Sequence, residues 1–178
     1  LLAELLPQGQ PLPRDEALAL LRRHWGRIQA RVQQAFEARE LSGLAAARWL
    51  AALTDTLMVG IHRYTEALHP PERGEKSHAL VATGGYGRGV LAPFSDIDLL
   101  FLTDNSMSAR GKKAVEFMLY LLWDLGLKVG HATRSRSECL QEAKQDATVM
   151  TALLDARLVA GDPAIFARFD EAFRAARA

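Results

Sequence analysis

The chain has 178 residues, 49% of them apolar and 24% charged, with a formal net charge of +1. That length holds one domain with a real core, or a domain plus a helical appendage, and the balanced charge excludes a bulk electrostatic pull toward nucleic acid or membrane. A single cysteine, Cys139, excludes an intrachain disulfide and fits a reducing, cytoplasmic compartment. No unbroken run of about 18 apolar residues offers a membrane span. The opening LLAELLPQGQPLPRDEA lacks a basic n-region and an initiator Met. It reads as the edge of a longer chain rather than a signal peptide. Residues 1–13, punctuated by Pro and Gln, are expected to be extended.

Apolar residues at Leu18, Leu21, Trp25, Ile28, Val32 and Phe36 step by three and four, predicting a helix over 14–40. Ser42-Gly43 breaks it. A second stripe, Leu50, Leu53, Leu57, Ile61, Tyr64 and Leu68, completes a helical hairpin. HPPERGEKS (69–77) reads as a loop. The pattern then changes. HALVAT (78–83) is short, apolar and followed by glycines, which predicts a strand. DIDLLFL (96–102) predicts a second, buried on both faces after its first residues. A helix is expected over 108–125, with Gly126 as its C-cap. LKVGHAT (127–133) reads as a third strand. SRSE (135–138) is a capping box opening another helix. Residues 146–160 read as helical. Asp162-Pro163 then supplies an N-cap and first-turn proline for a last helix bearing Ile165, Phe166, Phe169 and Phe173. The fold class is therefore helix-rich α+β. An N-terminal segment and hairpin (1–77) precede a core of strands and helices (78–178).

The stretch GGYGRGVLAPFSDIDLLFL (84–102) carries the chemistry. On a strand, Asp96 and Asp98 share a face with Cα atoms roughly 7 Å apart, while Ile97 points oppositely. Two neighbouring carboxylates repel, and partial burial raises the cost. Divalent metal is the usual compensation, and Mg²⁺ favours one or two carboxylates plus substrate phosphates. Two such ions are possible, about 3.5–4 Å apart. Gly84 and Gly85 lack Cβ atoms, so their N–H groups can approach phosphate oxygens as an anion nest. Arg88 could add a bidentate phosphate contact. The Ser95 hydroxyl could bond a terminal phosphate or cap the turn. Each feature alone is ordinary: an exposed acid pair, a turn, a surface arginine. Together they are the parts that a metal–nucleotide complex needs. Two familiar glycine motifs are absent: Val90 stands where the dinucleotide fingerprint needs its third glycine, and no Gly-Lys-Ser/Thr occurs.

These residues resemble the DNA polymerase β-type nucleotidyltransferase superfamily, whose signature is a Gly-Gly or Gly-Ser turn followed by D-x-D. The blocks GGYGRG, SDIDLLFL, WDLGLKVGHATRS and DATVMTALLDARLVAGD are similar to the N-terminal domain of the bacterial PII uridylyltransferase/uridylyl-removing family. That resemblance implies a small mixed sheet flanked by helices. It implies transfer of UMP from UTP, with Mg²⁺, to a tyrosine hydroxyl of the PII nitrogen-signalling protein, releasing pyrophosphate. Gly84 and Gly85 would hold the phosphates, and Asp96 and Asp98 would bind metal and orient the attacking hydroxyl. The family's HD-type hydrolase and ACT sensor domains do not fit in this length, and none of His24, His62, His69, His78 or His131 is followed by Asp. Val90 stands where the family leads us to expect an acid. The third carboxylate usual in the superfamily is absent from LKVGHAT, where Lys128 and His131 are the polar residues. Asp146 and Asp155 are the alternatives, although a helix cap and an acid paired with nearby Arg157 are their simpler roles. His131 reads as a strand-end histidine and Cys139 as an unreactive helix residue. The rival functions are a related nucleotidyltransferase with another nucleotide or acceptor, and a non-catalytic nucleotide-binding module.

Overall fold

The computed structural model describes residues 1–71 and 78–177. The loop expected at 69–77 falls mainly on 72–77, outside the described residues. Eight helices and four strands are formed there: α1 (Leu2–Leu5), α2 (Arg14–Glu37), α3 (Gly43–Leu68), β1 (Ala79–Ala82), α4 (Gly84–Gly87), β2 (Ile97–Thr103), α5 (Ala109–Asp124), β3 (Val129–Ser135), α6 (Arg136–Gln145), α7 (Ala147–Leu154), β4 (Arg157–Gly161) and α8 (Pro163–Ala175). A 3-10 turn covers Pro7–Gly9. The helix-rich α+β class is as expected.

One sheet runs β3-β2-β1-β4. β1 pairs antiparallel with both β2 and β4, and β2 pairs parallel with β3. The strands alternate between two cores. Leu80, Ala82, Ile97, Leu99 and Phe101 face α2, α3 and α5. Ala79, Val81, Leu100 and Leu102 face α6, α7 and α8, whose Cys139, Leu153 and Phe169 pack against them. β2 is buried on both sides except at Asp98, as its apolar run demands. α3 is long and apolar enough to cross a membrane by length and composition. Its buried face, including Leu50, Leu57, Ile61 and Tyr64, lies in the first core.

Local signals formed as read. Ser135 and Glu138 make the reciprocal capping box. Asp162 caps α8 ahead of Pro163. Gly126, at φ 76°, donates its N–H to the Trp123 carbonyl and closes α5. Two expectations are corrected. Residues 1–13 are not extended: α1 docks its fully buried Leu5 into the first core, and the Leu12 carbonyl accepts the Tyr64 hydroxyl at 2.7 Å. Residues 146–160 are not one helix: α7 stops at Leu154 and the chain re-enters the sheet as β4. Arg157, Leu158 and Ala160 pair with β1, whose outer edge would otherwise be unpaired. Non-local hydrogen bonding overrides local helix preference there.

Candidate active site

The C-terminal end of β1 and the N-terminal ends of β2, β3 and β4 meet at one edge of the sheet. There the Gly-Gly segment forms a single helical turn, α4. Gly84 is left-handed, φ 55°, which glycine adopts without steric cost. The first amides of a helical turn have no intrahelical carbonyl, so Gly84 and Gly85 present N–H groups at its start. Close approach explains the missing side chain as well. A Cβ on Gly84 would lie 3.0 Å from Asp98 Oδ2.

Asp98 sits in β2 opposite Gly130 of β3, and a Cβ on Gly130 would lie 2.5 Å from Asp98 Oδ1. The carboxylate is thus seated between two bare backbones, with the Thr83 N–H donating to the Asp98 carbonyl at 3.1 Å. Burial first, and the charge of Asp96 second, raise the Asp98 pKa above the ordinary carboxylate value. Asp96 is exposed just before β2, and Ile97 between the two is buried in the opposite core. An acid pair whose ionisation is disfavoured by burial and by mutual repulsion fits a divalent cation, which would remove both penalties.

Arg88 is 57% exposed and ion-paired with Asp155 at 2.6 Å, its Nη2 3.7 Å from where a Gly85 Cβ would stand. Asp155 was expected beside Arg157; instead it holds Arg88, at the end of α7. Ser95 is exposed, and its N–H donates to the Ala92 carbonyl at 3.1 Å. It lines an apolar groove of about 900 Å³ with Trp25, Val32, Phe94 and Lys128.

No third acid joins Asp96 and Asp98 among the described residues, which contain no cluster of three metal-ligating side chains. Asp146 caps α7 by accepting from the Thr148 and Val149 N–H groups. His131 packs edge-on to Trp123 at 5.9 Å between centroids. Cys139 is fully buried, and burial pushes its thiol up to about 12. Sequence reasoning missed Asp55 and the role of Arg157. Arg157 grips Asp55 at 2.8 and 3.1 Å, and Tyr86 donates its hydroxyl to Asp55 at 2.6 Å. The one signal was an acid on the apolar stripe of α3, between Thr54 and Leu57.

A nucleotidyltransferase domain model matches residues 71–158. The chain is 47% identical over 155 residues to a bifunctional uridylyltransferase/uridylyl-removing enzyme of Gluconobacter oxydans (strain 621H), covering 87% of this chain and 16% of that protein. Enzymes of the same name from Phenylobacterium zucineum (strain HLK1) and Rhodopseudomonas palustris (strain ATCC BAA-98 / CGA009) are each 44% identical. They cover 74% and 76% of this chain, and 14% and 15% of their own lengths. The chain therefore spans a small part of the curated relatives it matches. With its paired glycines and D-x-D in a mixed sheet, the stretch 71–158 of this chain is a nucleotidyltransferase domain.

Proposed function

We propose that this chain transfers UMP from UTP to a tyrosine hydroxyl of a PII-type signalling protein, in a cytoplasmic setting. The observation that carries the reading is the seat of Asp98: a half-buried acid beside Asp96, wedged between Gly84 and Gly130 at the mouth of the glycine turn. The similarity to uridylyltransferases supplies the nucleotide and acceptor. Gly84 and Gly85 would donate N–H groups to the triphosphate. Arg88, steered over Gly85 by Asp155, would face the same phosphates, and the Ser95 hydroxyl would bond a terminal phosphate or cap the turn. Asp96 and Asp98 would hold Mg²⁺ and orient the acceptor. Bound there, the ion would lower the hydroxyl's pKa and neutralise charge on the departing pyrophosphate. The hydroxyl oxygen attacks the α-phosphorus, the bond to the bridging α–β oxygen breaks, and the hydroxyl proton goes to solvent. Positioning and preorganised charge supply most of the barrier reduction.

Incubation with a PII-type protein, Mg²⁺ and α-labelled UTP tests this. Label should appear on a tyrosine of the acceptor, and Asp98→Asn should lower its rate of appearance by about 100-fold or more. Undiminished transfer by that variant would end the assignment. The missing third acid favours a second reading, a nucleotide-binding module without turnover. Mg²⁺-dependent UTP binding with no labelled acceptor would establish it.

A further inference from the structure

The glycine turn is tied to the rest of the molecule through one guanidinium. Arg157, the first residue of β4, donates to both carboxylate oxygens of Asp55 on α3 at 2.8 and 3.1 Å. The same group donates to the carbonyls of Tyr86 and Gly87, both at 3.2 Å, and lies 5.5 Å from the centroid of the Tyr86 ring. Tyr86 is 1% exposed, and its hydroxyl closes the set by donating to Asp55 Oδ1 at 2.6 Å. Burial first, and the bond to Asp55 second, keep that phenol protonated well above its usual range. On its other side the turn has no slack, because a Cβ on Gly87 would overlap the Asp155 carbonyl oxygen.

The direction of these bonds matters. In a helical turn the carbonyls point one way along the axis and the free amides the other. Holding the carbonyls of Tyr86 and Gly87 on Arg157 anchors the far end of the four-residue turn whose first two residues are Gly84 and Gly85. A planar guanidinium suits this task, since its rigid fork serves a carboxylate and two carbonyls at once; an ammonium keeps the charge and loses the fork. We propose that Asp55, Tyr86 and Arg157 are positioning residues that set the orientation of the Gly84–Gly85 amides toward the triphosphate of the nucleotide. The inference rests on the uridylyl-transfer reading above, and none of the three residues is assigned contact with the nucleotide.

The test compares Arg157→Lys, Asp55→Asn and Tyr86→Phe with the unaltered protein. The readings are melting midpoint, Kd for UTP with Mg²⁺ by calorimetry, and KM for UTP and for the PII-type acceptor separately. Removing an outer partner of a binding group typically costs about 10–100-fold. Arg157→Lys and Asp55→Asn should raise the Kd and KM for UTP by about tenfold or more, and Tyr86→Phe by about threefold, with the acceptor KM held within about twofold. A purely structural role would lower the melting midpoint and the active fraction, leaving Kd and KM of the folded molecules unchanged. UTP constants within about twofold of the unaltered protein in every folded variant would overturn the proposal. If Arg157→Lys or Asp55→Asn fails to fold, Tyr86→Phe decides alone, since it removes one hydroxyl and keeps the buried ring. An unaltered protein that neither binds UTP nor labels the acceptor would overturn the functional reading itself. An active protein with indifferent variants overturns only the positioning role.

Discussion

Gly130→Ala separates the site from the fold. Gly130 has ordinary strand backbone, so alanine is conformationally acceptable there. Its Cβ, however, would stand 2.5 Å from Asp98 Oδ1 and 3.7 Å from the carboxyl carbon. An ordinary contact needs about 3.5 Å, so the oxygen must retreat by roughly 1 Å. The displaced carboxylate leaves its rotamer well at a cost of about 0.5–1.5 kcal/mol. Replacing glycine in a compatible backbone returns about 0.4–1 kcal/mol by restricting the unfolded chain. The two nearly cancel, so the melting midpoint should stay within about 4 °C of the unaltered protein. Activity has no such compensation: a displacement of about 1 Å at the reacting centre costs on the order of 100-fold. Initial rates of label transfer from UTP, measured across Mg²⁺ concentrations, check the claim alongside calorimetry. Combined with Asp98→Asn, the alanine should add almost no further loss, because both changes act on one carboxylate. A Gly130→Ala protein with near-normal rate and Mg²⁺ response would refute the reasoning, since the seat of Asp98 would then be irrelevant to transfer.

Four further substitutions have expected outcomes. Asp98→Asn should lower transfer by about 100-fold or more and leave the metal-free protein at least as stable at neutral pH. The raised folded pKa means ionised Asp98 opposes folding; its stabilising share is present below the unfolded aspartate pKa and lost as pH rises through the folded value. The stability difference between variant and unaltered protein should therefore shrink in acid, and a melting comparison at two pH values without Mg²⁺ reads it. Gly87→Ala should destabilise by roughly 1–3 kcal/mol, because its Cβ would meet the backbone carbonyls of Asp155 and Ala82. Gly26→Ala, in the exposed middle of α2 with open space around it, should instead stabilise by about 1 kcal/mol; chemical denaturation of the pair checks the contrast. Ser135→Ala removes the capping box of α6 and should cost about 1 kcal/mol by the same measurement.

What the sequence made legible was local. The stripes of α2 and α3, the Ser135–Glu138 box and the Asp162-Pro163 cap are written within a few residues of where they act. The acid pair and the paired glycines could be read for the same reason, because each is a short spacing on one strand or one turn. What escaped depends on partners far along the chain. Leu158, Val159 and Ala160 continue an apolar run that a helix could absorb, and only the free edge of β1, some 80 residues earlier, makes them a strand. Arg157 consequently looked like the neighbour of Asp155, when strand geometry turns it toward Asp55 and leaves Asp155 to Arg88. The absence of a third acid beside Asp98 among the described residues has a related cause. On β3 the residue facing Asp98 is Gly130, and any carboxylate placed there would occupy the volume in which the Asp98 oxygens already sit. Two acids and two facing glycines are therefore one steric solution. A glycine selected for the room it leaves to a neighbour on another strand carries no mark in its own segment, so the acid it accommodates is the only half of that pair that one-dimensional reading can find.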